Sequence, residues 1–441
     1  MTISSAQEPL TVAIIGTGFV GAVSAAVYAS FGNMVIGLDI DEQKVAALRQ
    51  GKVPFFEPGL EELLQQEQTA GRLTFTTSYQ EVISTADVIM IAVGTPSSAE
   101  GKVNLDYVYA ASEALAPHLK QDAVVVVKST VPPGTLDEVR TRIDAHAEVA
   151  YTLASVPEFL REGTAVEDTL HPDRVVIGAE SDAAFAILEQ LHAPLKAPVV
   201  RVNPISAQMA KYTANAYLAT RITFINQIAD LCEHTGADIE EVIESIGHDK
   251  RIGHQYWYPG FGYGGSCFPK DVKELAHYSR TVGLGDNLLN QLDRLNEERI
   301  PTLLEAYSDW IGGFEGKKVA VLGLSFKPNT NDMREAPSTH LIPALLDAGA
   351  TVAGYDPKAM EEAAAVIPAH DYLTFVPDLS EACENADVII ALIEWPEIIE
   401  FDYASVRTQR AQWFIDARNQ FDPKTITSAG FKYRGVGRKT T

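Results

Sequence analysis

Cysteine is scarce in this sequence, with only Cys232, Cys267 and Cys383 among 441 residues. They form no CxxC pair and no ligand cluster, which disfavours a disulfide framework and a structural zinc site, so no metal is expected. No apolar run approaches the roughly 20 residues that span a bilayer. The first ten residues also lack the basic region and apolar core of a signal peptide. We therefore expect a cytoplasmic protein with no membrane partner.

Positive charge is also in short supply, because 35 lysines and arginines face 59 aspartates and glutamates, which gives a formal net charge of −24. Such a surface repels DNA, RNA and anionic lipid, so no nucleic-acid partner is expected. A phosphate-bearing ligand would have to be held locally, by backbone N–H groups and a few cations. The length predicts two or three domains, at roughly 150 residues each.

Strands that alternate with helical patterns dominate the first part of the sequence. An apolar run at residues 10–15 leads into the turn GTGFVG and a helical pattern. Further strands are predicted at 34–39, 86–93 and 122–130. This alternation is typical of a doubly wound parallel sheet of the α/β class.

The same pattern returns late in the chain, where KKVAVLGLSF, TVAGYDP and ENADVII resemble the earlier strands and turn. This internal echo predicts a second nucleotide-type fold that begins near Gly316. Its turn after Gly323 lacks the further glycines, so it is not expected to cradle a dinucleotide in the same way.

The segment between these folds has helical periodicity without strand signals, and Gly236 is placed to end a long helix. The predicted architecture is two Rossmann-like doubly wound parallel-sheet domains joined by a central helical segment, a natural place for a dimer contact. The expected domains are an N-terminal Rossmann domain at 1–205, a central helical dimerisation domain at 206–310 and a C-terminal Rossmann-like domain at 311–441.

The turn GTGFVG fits the pattern G-x-G-x-x-G, and its context makes it informative. It follows a strand, opens a helix and precedes Asp39 at the end of the next strand. Gly16 permits the turn, Gly18 lets the backbone approach a pyrophosphate, and Gly21 allows the helix to pack on the strand. Asp39 would bind the ribose hydroxyls and repel a 2′-phosphate. The pattern predicts an NAD site, against the alternative of a structural turn.

The stretch FGYGGSCFPKD places Cys267 after several glycines and before a predicted helix, with Pro269 in its first turn. A cysteine at a helix N-terminus feels the positive end of the helix, which favours the thiolate. Asp271 lies four residues further on and can share its face. We favour a nucleophile over a small buried hydrophobe here, whereas Cys232 and Cys383 are interpreted as buried.

Lys211 and Asn215 are four residues apart in a helical pattern, so they project from one face. A cation beside an amide donor is what an oxyanion formed at a carbonyl needs. The alternative is a solvated helix face. Largely apolar or small neighbours favour a partly buried pair.

These features resemble the nucleotide-sugar 6-dehydrogenases, the UDP-glucose/GDP-mannose dehydrogenase family. The resemblance covers nearly the whole chain and is carried by GTGFVG, VGTP, KSTVPPGT, PEFLREGTA, HPDRVVIG, KYTANA, RIG, GYGGSCFPKD, LGLSFKPNTNDMRE and DARN. It implies an NAD-dependent four-electron oxidation of UDP-glucose at C6. GDP-mannose or another nucleotide sugar is the alternative substrate. The loop HQYWYPGFGYGG is richer in aromatics and proline than the UDP-glucose form, Tyr258 stands where a lysine often does, and PGFGYGG leans slightly toward the GDP-mannose form.

The resemblance also implies roles for matching residues. Cys267 would add to an intermediate aldehyde as a thiohemiacetal and carry the second oxidation to a thioester. Lys211 and Asn215 match oxyanion stabilisers. The arginine of RIG, Arg251, would reach the site of a partner subunit, which implies a homodimer.

Hydrolysis would use Thr130 and Asp271 to position water and Glu158 for acid–base work, although Glu158 is alternatively a helix-start carboxylate. The implied cofactor contacts are Gly16, Gly18, Phe19, Val20, Asp39, Lys44, Thr95, Ser129, Glu162 and Arg334. The implied substrate contacts are Phe159, Leu160, Arg251, Tyr258, Phe261, Gly262, Gly264, Phe326, Lys327 and Arg418.

Two other classes of protein stay open at this point. A hydroxyacyl or 6-phosphogluconate type dehydrogenase shares the first fold and a helical second domain, but has no use for Cys267 or for a second nucleotide fold. A non-catalytic nucleotide-sugar sensor would not need Cys267, Lys211, Asn215 and Asp271 intact.

Overall fold

The computed structural model describes residues 8–98, 101–406 and 413–438. The described chain divides into two compact units, with the boundary between Ala214 and Asn215. Each unit contains a parallel or mostly parallel sheet with flanking helices, which confirms the predicted fold class. The division into three domains at 1–205, 206–310 and 311–441 stays a prediction.

The first unit is built on one sheet, which has eight strands within its described residues. The strand order is 3-2-1-4-5-6-7-8, and neighbours run parallel except the sixth and seventh. The strand bounds are β1 (Thr11–Ile15), β2 (Met34–Leu38), β3 (Leu73–Thr76), β4 (Val88–Ile91), β5 (Ala123–Val127), β6 (Tyr151–Ser155), β7 (Val175–Ala179) and β8 (Val199–Val202).

Apolar side chains on both faces explain why β1 lies in the middle of this sheet. Val12 and Ile14 join the core on one face, and Ala13 and Ile15 join the core on the other. A strand buried on both sides is typical of parallel sheets covered by helices.

The helices of this unit are α1 (Phe19–Ser30), α2 (Glu42–Arg49), α3 (Leu60–Thr69), α4 (Tyr79–Ile83), α5 (Asp106–Leu115), α6 (Thr135–Asp144), α7 (Ala165–Leu170) and α8 (Asp182–His192), with short 3₁₀ turns at Ala116–His118 and Ala193–Leu195.

A helix of 32 residues, α9 (Pro204–Thr235), carries the unit boundary within it. It ends where the sequence predicts, because Gly236 has a φ of +81° and its N–H donates to the Cys232 carbonyl at 2.8 Å. The predicted segment 206–310, all of it described, contains helices and no strand. The helices that follow are α10 (Ile239–Gly247), α11 (Phe268–Thr281), α12 (Leu288–Glu297) and α13 (Arg299–Ile311).

The second unit contains a parallel sheet of six strands within its described residues, and their order repeats that of the first six strands of the other sheet. The repeated sequence pattern therefore corresponds to a repeated fold. Its strands are β9 (Lys318–Leu322), β10 (Thr351–Tyr355), β11 (Leu373–Phe375), β12 (Val388–Ala391), β13 (Trp413–Asp416) and β14 (Lys432–Gly435). Its remaining helices are α14 (Pro337–Asp347), α15 (Met360–Val366), α16 (Leu379–Cys383), α17 (Pro396–Ile399) and α18 (Pro423–Ser428), with a 3₁₀ turn at Tyr403–Val406. Among the described residues, no helix combines the length and the hydropathy that a bilayer-spanning segment requires.

The repeated fold uses the acidic residue after its second strand differently. Asp356 is buried, and its carboxylate accepts backbone N–H bonds from Leu324 at 2.7 Å, Ser325 at 3.1 Å and Lys358 at 2.8 Å. The indole N–H of Trp395 donates to it as well, at 3.2 Å. A carboxylate bound in this way to its own turn has little capacity left for a ribose. The arrangement supports the expectation that this turn does not cradle a dinucleotide.

A buried histidine pairs α8 with α1 in the first unit. The Nδ1 of His192 lies 2.7 Å from the Leu188 carbonyl, so it carries the proton, and Nε2 accepts from the Tyr28 hydroxyl at 3.0 Å. Both side chains are buried. Burial lowers the pKa of His192 to about 4, because a charged ring would lose its hydration.

Acid should therefore destabilise the first unit through His192. Between pH about 6.5 and about 4 the unfolded chain binds a proton at this residue and the folded chain does not, so the free energy of unfolding falls as the pH falls. The loss reaches about 3 kcal/mol. Urea unfolding at several pH values measures it. The double variant Tyr28→Phe/His192→Leu should have a shallower slope in this interval, and an identical slope would contradict the assignment.

Candidate active site

The turn after β1 has the geometry that each of its glycines predicts. Gly16 has a φ of +90°, in the left-handed region. A Cβ on Gly21 would lie 1.9 Å from the Gly16 carbonyl oxygen, whereas a Cβ on Gly18 would meet nothing within 4 Å. Gly18 begins α1 without a side-chain cap, so the first N–H groups of the helix, at Phe19 and Val20, are suited to an anion.

Asp39 follows β2 and is held next to this turn. Its Oδ2 accepts from the Thr17 N–H and hydroxyl, both at 2.9 Å, and lies 3.0 Å from the Lys44 ammonium. Burial opposes ionisation, but the bonds from Thr17, Lys44 and Asp41 outweigh it and hold the pKa of this carboxyl below its ordinary value. Asp39 is therefore an anion positioned beside the glycine-rich turn. Lys44, one of the implied cofactor contacts, pairs with Asp39.

The segments after β4 and β5 meet at the same edge of the sheet. The Ser129 hydroxyl, just after β5, donates to the Val93 carbonyl at 2.7 Å, two residues before Thr95. Thr130 comes next in the chain and is partly exposed. Since β1 and β4 are neighbours, this edge is the point where the strand order reverses, which is where doubly wound folds bind ligands.

Glu158 and Lys211 form a nearly buried ion pair in the first unit. The Glu158 Oε1 lies 2.8 Å from the Lys211 ammonium, and their side chains are 9% and 4% exposed. The other oxygen of Glu158 accepts from the Leu160 N–H at 2.7 Å. Two cations lie close to the Phe159 ring, with the Arg174 guanidinium carbon at 3.7 Å and the Lys211 ammonium at 5.6 Å from its centroid.

Lys128, which sequence reasoning missed, adds a second buried cation at the end of β5. Burial lowers its pKa to about 8; the charge of Lys211 adds to this effect, and the charge of Glu158 opposes it. A lysine directly after the run AVVVV, and directly before Ser129 and Thr130, was the available signal. Two lysines and one glutamate thus give this part of the unit an excess of positive charge.

In the second unit, Cys267 stands at the N-cap position of α11, as predicted. Its sulfur lies 3.4 Å from the Ser266 hydroxyl, and its carbonyl accepts from the Asp271 N–H at 2.9 Å. All three cysteines are described, and none is in a disulfide. Burial raises the pKa of Cys383 to about 12 and also raises that of Cys232, whereas Cys267 is partly exposed.

The carboxylate of Asp271 is buried among donors. Its Oδ2 accepts from the Asn215 side-chain amide at 2.6 Å, and its Oδ1 lies 2.6 Å from the Lys270 ammonium. Asp271 and Asn215 are therefore brought together within the second unit. Lys211 belongs to the first unit, and its place on one helical face with Asn215 stays a prediction from their spacing.

The glycines before Cys267 leave room for the chain's own groups, which sequence reasoning had not foreseen. A Cβ on Gly262 would lie 2.5 Å from the Asn296 amide oxygen, and one on Gly264 would lie 2.0 Å from the Glu335 carbonyl oxygen. A Cβ on Gly265 would strike the Phe326 ring at 2.7 Å. The loop therefore packs directly on the backbone and ring that follow β9.

Several implied substrate contacts gather in the second unit. The Arg418 guanidinium donates to the Phe326 carbonyl at 3.4 Å and pairs with Glu394 at 3.2 Å, and the Lys327 ammonium lies 5.5 Å from the Phe326 ring centroid. Phe261 is different, because its ring is 3% exposed and stacks on Tyr307 in the core. Its side chain is a packing group in the structure.

The roles of the other implied contacts remain predictions. Arg251 is 88% exposed and pairs with Asp249, and Arg334 pairs with Asp332. Tyr258 is about half exposed. Glu162 and Leu160 lie in the loop after β6, and Thr95 lies after β4. The described residues contain no group of three or more histidines, cysteines or carboxylates that could hold a metal ion.

Comparison with known proteins covers the chain in three segments. Models of the UDP-glucose/GDP-mannose dehydrogenase family match it over the NAD binding domain at residues 10–196, the central domain at 205–298 and the UDP binding domain at 320–423.

Individual relatives are similar to this chain over nearly its full length. The UDP-glucose 6-dehydrogenase TuaD of Bacillus subtilis is 42% identical over 97% of this chain and 93% of its own. The UDP-glucose 6-dehydrogenase of Rhizobium meliloti is 41% identical over 97% of this chain and 100% of its own. The structure of a UDP-glucose dehydrogenase from Pyrobaculum islandicum has a TM-score of 0.92 at 36% identity, over 100% of both chains. A GDP-mannose dehydrogenase from Pseudomonas aeruginosa has a TM-score of 0.54 at 30% identity, over 97% of this chain and 100% of its own.

Replacing Lys128 by methionine should stabilise the protein. The variant removes a buried cation whose pKa of about 8 shows that its hydration is lost without full compensation. The expected gain in the free energy of unfolding at pH 7 is on the order of 2 kcal/mol. In the wild type, stability should rise between pH about 8 and about 10.5, where only the unfolded chain keeps the proton, and the variant should lack this rise. The exposed Lys52→Met is the control. A less stable Lys128→Met would mean that the cation is net stabilising.

Proposed function

The chain belongs to the UDP-glucose/GDP-mannose dehydrogenase family, whose members are NAD-dependent oxidoreductases, and from that premise we propose that it oxidises UDP-glucose at C6 to UDP-glucuronate. The relatives of 41–42% identity are named for that substrate. One observation within the second unit carries the mechanism. Cys267 is the N-cap residue of α11, one turn before the buried Asp271, whose carboxylate accepts a hydrogen bond from the Asn215 amide.

The residues of the first unit fit the cofactor, which is NAD. The open side of Gly18 and the uncapped start of α1 would receive the pyrophosphate, and the ionised Asp39 would receive the ribose hydroxyls. When bound, NAD accepts the hydride that leaves C6 in each of the two oxidation steps. The remaining proposed contacts are Gly16, Phe19, Val20, Lys44, Thr95, Ser129, Glu162 and Arg334.

Cys267 divides the four-electron oxidation into two steps. After the first hydride leaves, the thiolate bonds to the aldehyde carbon and forms a thiohemiacetal, which keeps the aldehyde from escaping. Loss of a second hydride from that carbon gives a thioester. Water then breaks the carbon–sulfur bond, which releases the carboxylate and restores the thiolate.

A cation and an amide donor would stabilise the oxygen at C6 through these steps. Lys211 supplies a buried cation and Asn215 an amide donor, which suit the oxyanions formed when the thiolate and water add. Glu158, bonded to Lys211, would exchange protons with the attacking water, and Asp271 with Thr130 would orient it.

The negative net charge of the chain makes local cations necessary for a diphosphate. Lys327 and Arg418, both near Phe326, would supply them in the second unit. The other proposed substrate contacts are Phe159, Leu160, Arg251, Tyr258, Gly262, Gly264 and the backbone of Phe261, whose side chain packs in the core. GDP-mannose as the preferred substrate is not favoured, because the relatives most similar over the full length that are described above act, by name, on UDP-glucose.

Measurement of NADH formed per sugar tests this proposal. Limiting UDP-glucose should give two NADH per molecule, and GDP-mannose and UDP-N-acetylhexosamines should give far lower kcat/KM. One NADH per UDP-glucose would indicate a single-oxidation dehydrogenase, and no NADH from any sugar would favour a sensor.

Cys267→Ser is the matched variant for the second step. Its hydroxyl is a much weaker nucleophile, so steady-state turnover should fall by about 1,000-fold or more while UDP-glucose still binds. Cys232→Ser, which alters a buried packing cysteine, should retain turnover per folded molecule. Normal turnover by Cys267→Ser would remove its role as nucleophile.

We further propose a homodimer in a reducing cytoplasm. A nucleophilic thiolate needs protection from oxidation. The dimer is supported by an apolar row on α9, in which Tyr217, Phe224 and Leu231 recur every seven residues and are 57%, 51% and 60% exposed. Side chains at this spacing line one face of a helix, and a second copy of the same row would bury it.

Phe224→Asp tests the row by placing a charge at its centre. The variant should sediment as a monomer, or dissociate at protein concentrations about 100-fold higher than the wild type, because a dimer would bury an unpaired carboxylate. Tyr372→Asp changes an exposed aromatic residue outside the row and should leave the sedimentation unchanged. An unaltered Phe224→Asp dimer, or a monomeric wild type, would reject this interface.

A further inference from the structure

Glu57 is a buried carboxylate that the mechanism above does not use. It is 5% exposed and lies in the segment Val53–Gly59, between α2 and α3. Its two oxygens accept backbone N–H bonds at 2.6 Å, one from Gly163 and one from Ala165. Glu57 therefore forms hydrogen bonds with a stretch of chain more than 100 residues away in sequence.

Gly163 and Ala165 lie at the end of the loop 156–164, which carries Glu158. At the start of this loop, Glu158 accepts from the Leu160 N–H and pairs with Lys211. At its end, Ala165 is the first residue of α7, whose N-cap residue Thr164 makes no side-chain capping bond. Glu57 supplies the Ala165 N–H with the acceptor that the Thr164 side chain does not provide at this helix start, and it binds the Gly163 N–H in the same way.

The same segment also contacts the start of α1. The ring centroid of Phe55 lies 5.0 Å from that of Phe19, the residue directly after Gly18. Phe19 and Phe55 both pack against the core on this face of the sheet. The segment Val53–Gly59 thus touches the glycine-rich turn on one side and the end of the Glu158 loop on the other.

We propose that Glu57 is a positioning residue for the oxidation, which holds the loop 156–164 so that Glu158 stays paired with Lys211. This inference rests on the proposed function, since it concerns the same reaction. Glu57 acts through the backbone amides of Gly163 and Ala165 and touches no reacting atom. A displacement of the loop by about 1 Å would be enough to lower turnover strongly.

Two variants of Glu57 separate positioning from packing. Glu57→Gln keeps the size but turns one acceptor into a donor that faces an N–H group, whereas Glu57→Asp keeps both acceptors and is one methylene shorter. We expect kcat for UDP-glucose oxidation to fall about 10- to 100-fold in Glu57→Gln, with partial recovery in Glu57→Asp, while the Kd for NAD changes less than about 3-fold. If kcat instead depends on the size of the side chain at position 57, so that Glu57→Gln is more active than Glu57→Asp, the residue is a packing group and the proposal is wrong.

Glu67→Gln is the matched control, because Glu67 is also a buried carboxylate of this unit and pairs with Arg72 at 2.7 Å, with no bond to the loop. It should lower the melting temperature and leave kcat per folded molecule unchanged.

Hydrogen exchange of peptides that cover 156–170 gives a readout that needs no activity, and it should speed up in Glu57→Gln only. If Glu57→Gln does not fold, kcat and exchange of Glu57→Asp decide: a wild-type kcat with wild-type exchange overturns the proposal. A wild type inactive on every sugar removes the proposed function as well, whereas an active wild type with an unaffected Glu57→Gln overturns this inference alone.

Discussion

The cost of burying charge constrains the candidate catalytic residues of each unit. In the first unit, Lys128 and Lys211 share one carboxylate, that of Glu158, and the lowered pKa of Lys128 shows that the compensation is incomplete. A fold selected for stability alone would place apolar side chains here. An anion such as the oxyanion of the proposed reaction would complete the balance, so the same excess charge that weakens the folded state favours that anion. In the second unit, Asp271 is compensated more fully, by Asn215 and Lys270.

The two nucleotide-type folds show that strand order and ligand chemistry are separable. Both sheets have the order 3-2-1-4-5-6 in their first six strands, and both place an aspartate after the second. Asp39 binds one turn residue and a partly exposed lysine, whereas Asp356 is enclosed by backbone N–H groups and an indole. The difference lies in the turns, where GTGFVG has Gly18 with open space and the second turn has Leu324 and Ser325. The function of each fold thus follows from a few turn residues.

Local patterns in the sequence were sufficient for the parts of the fold that local forces determine. The strands, the glycine turn, Asp39 and the end of α9 at Gly236 each follow from neighbours within a few positions. The antiparallel pairing of β6 with β7, and the clamp of Glu57 on Gly163, depend on contacts that no local pattern encodes. Lys128 was missed for another reason, since its lowered pKa arises from burial and from Lys211 on a distant helix. The close approach of Gly264 to Glu335 and of Gly265 to Phe326 also depends on residues more than 60 positions away, so no local pattern encodes it.

The three cysteines show how position decides the chemistry of one side chain. Cys232 lies within α9 and Cys383 within α16, where burial raises the pKa of each thiol and disfavours the thiolate. Cys267 lies at a helix start instead, where backbone N–H groups have no partners further back in the helix and the partial charge is positive. Gly264 and Gly265 let the preceding loop approach the Glu335 carbonyl and the Phe326 ring closely enough to present the sulfur there. A bulkier residue at either position would displace that loop, so the glycines position the nucleophile without taking part in its chemistry.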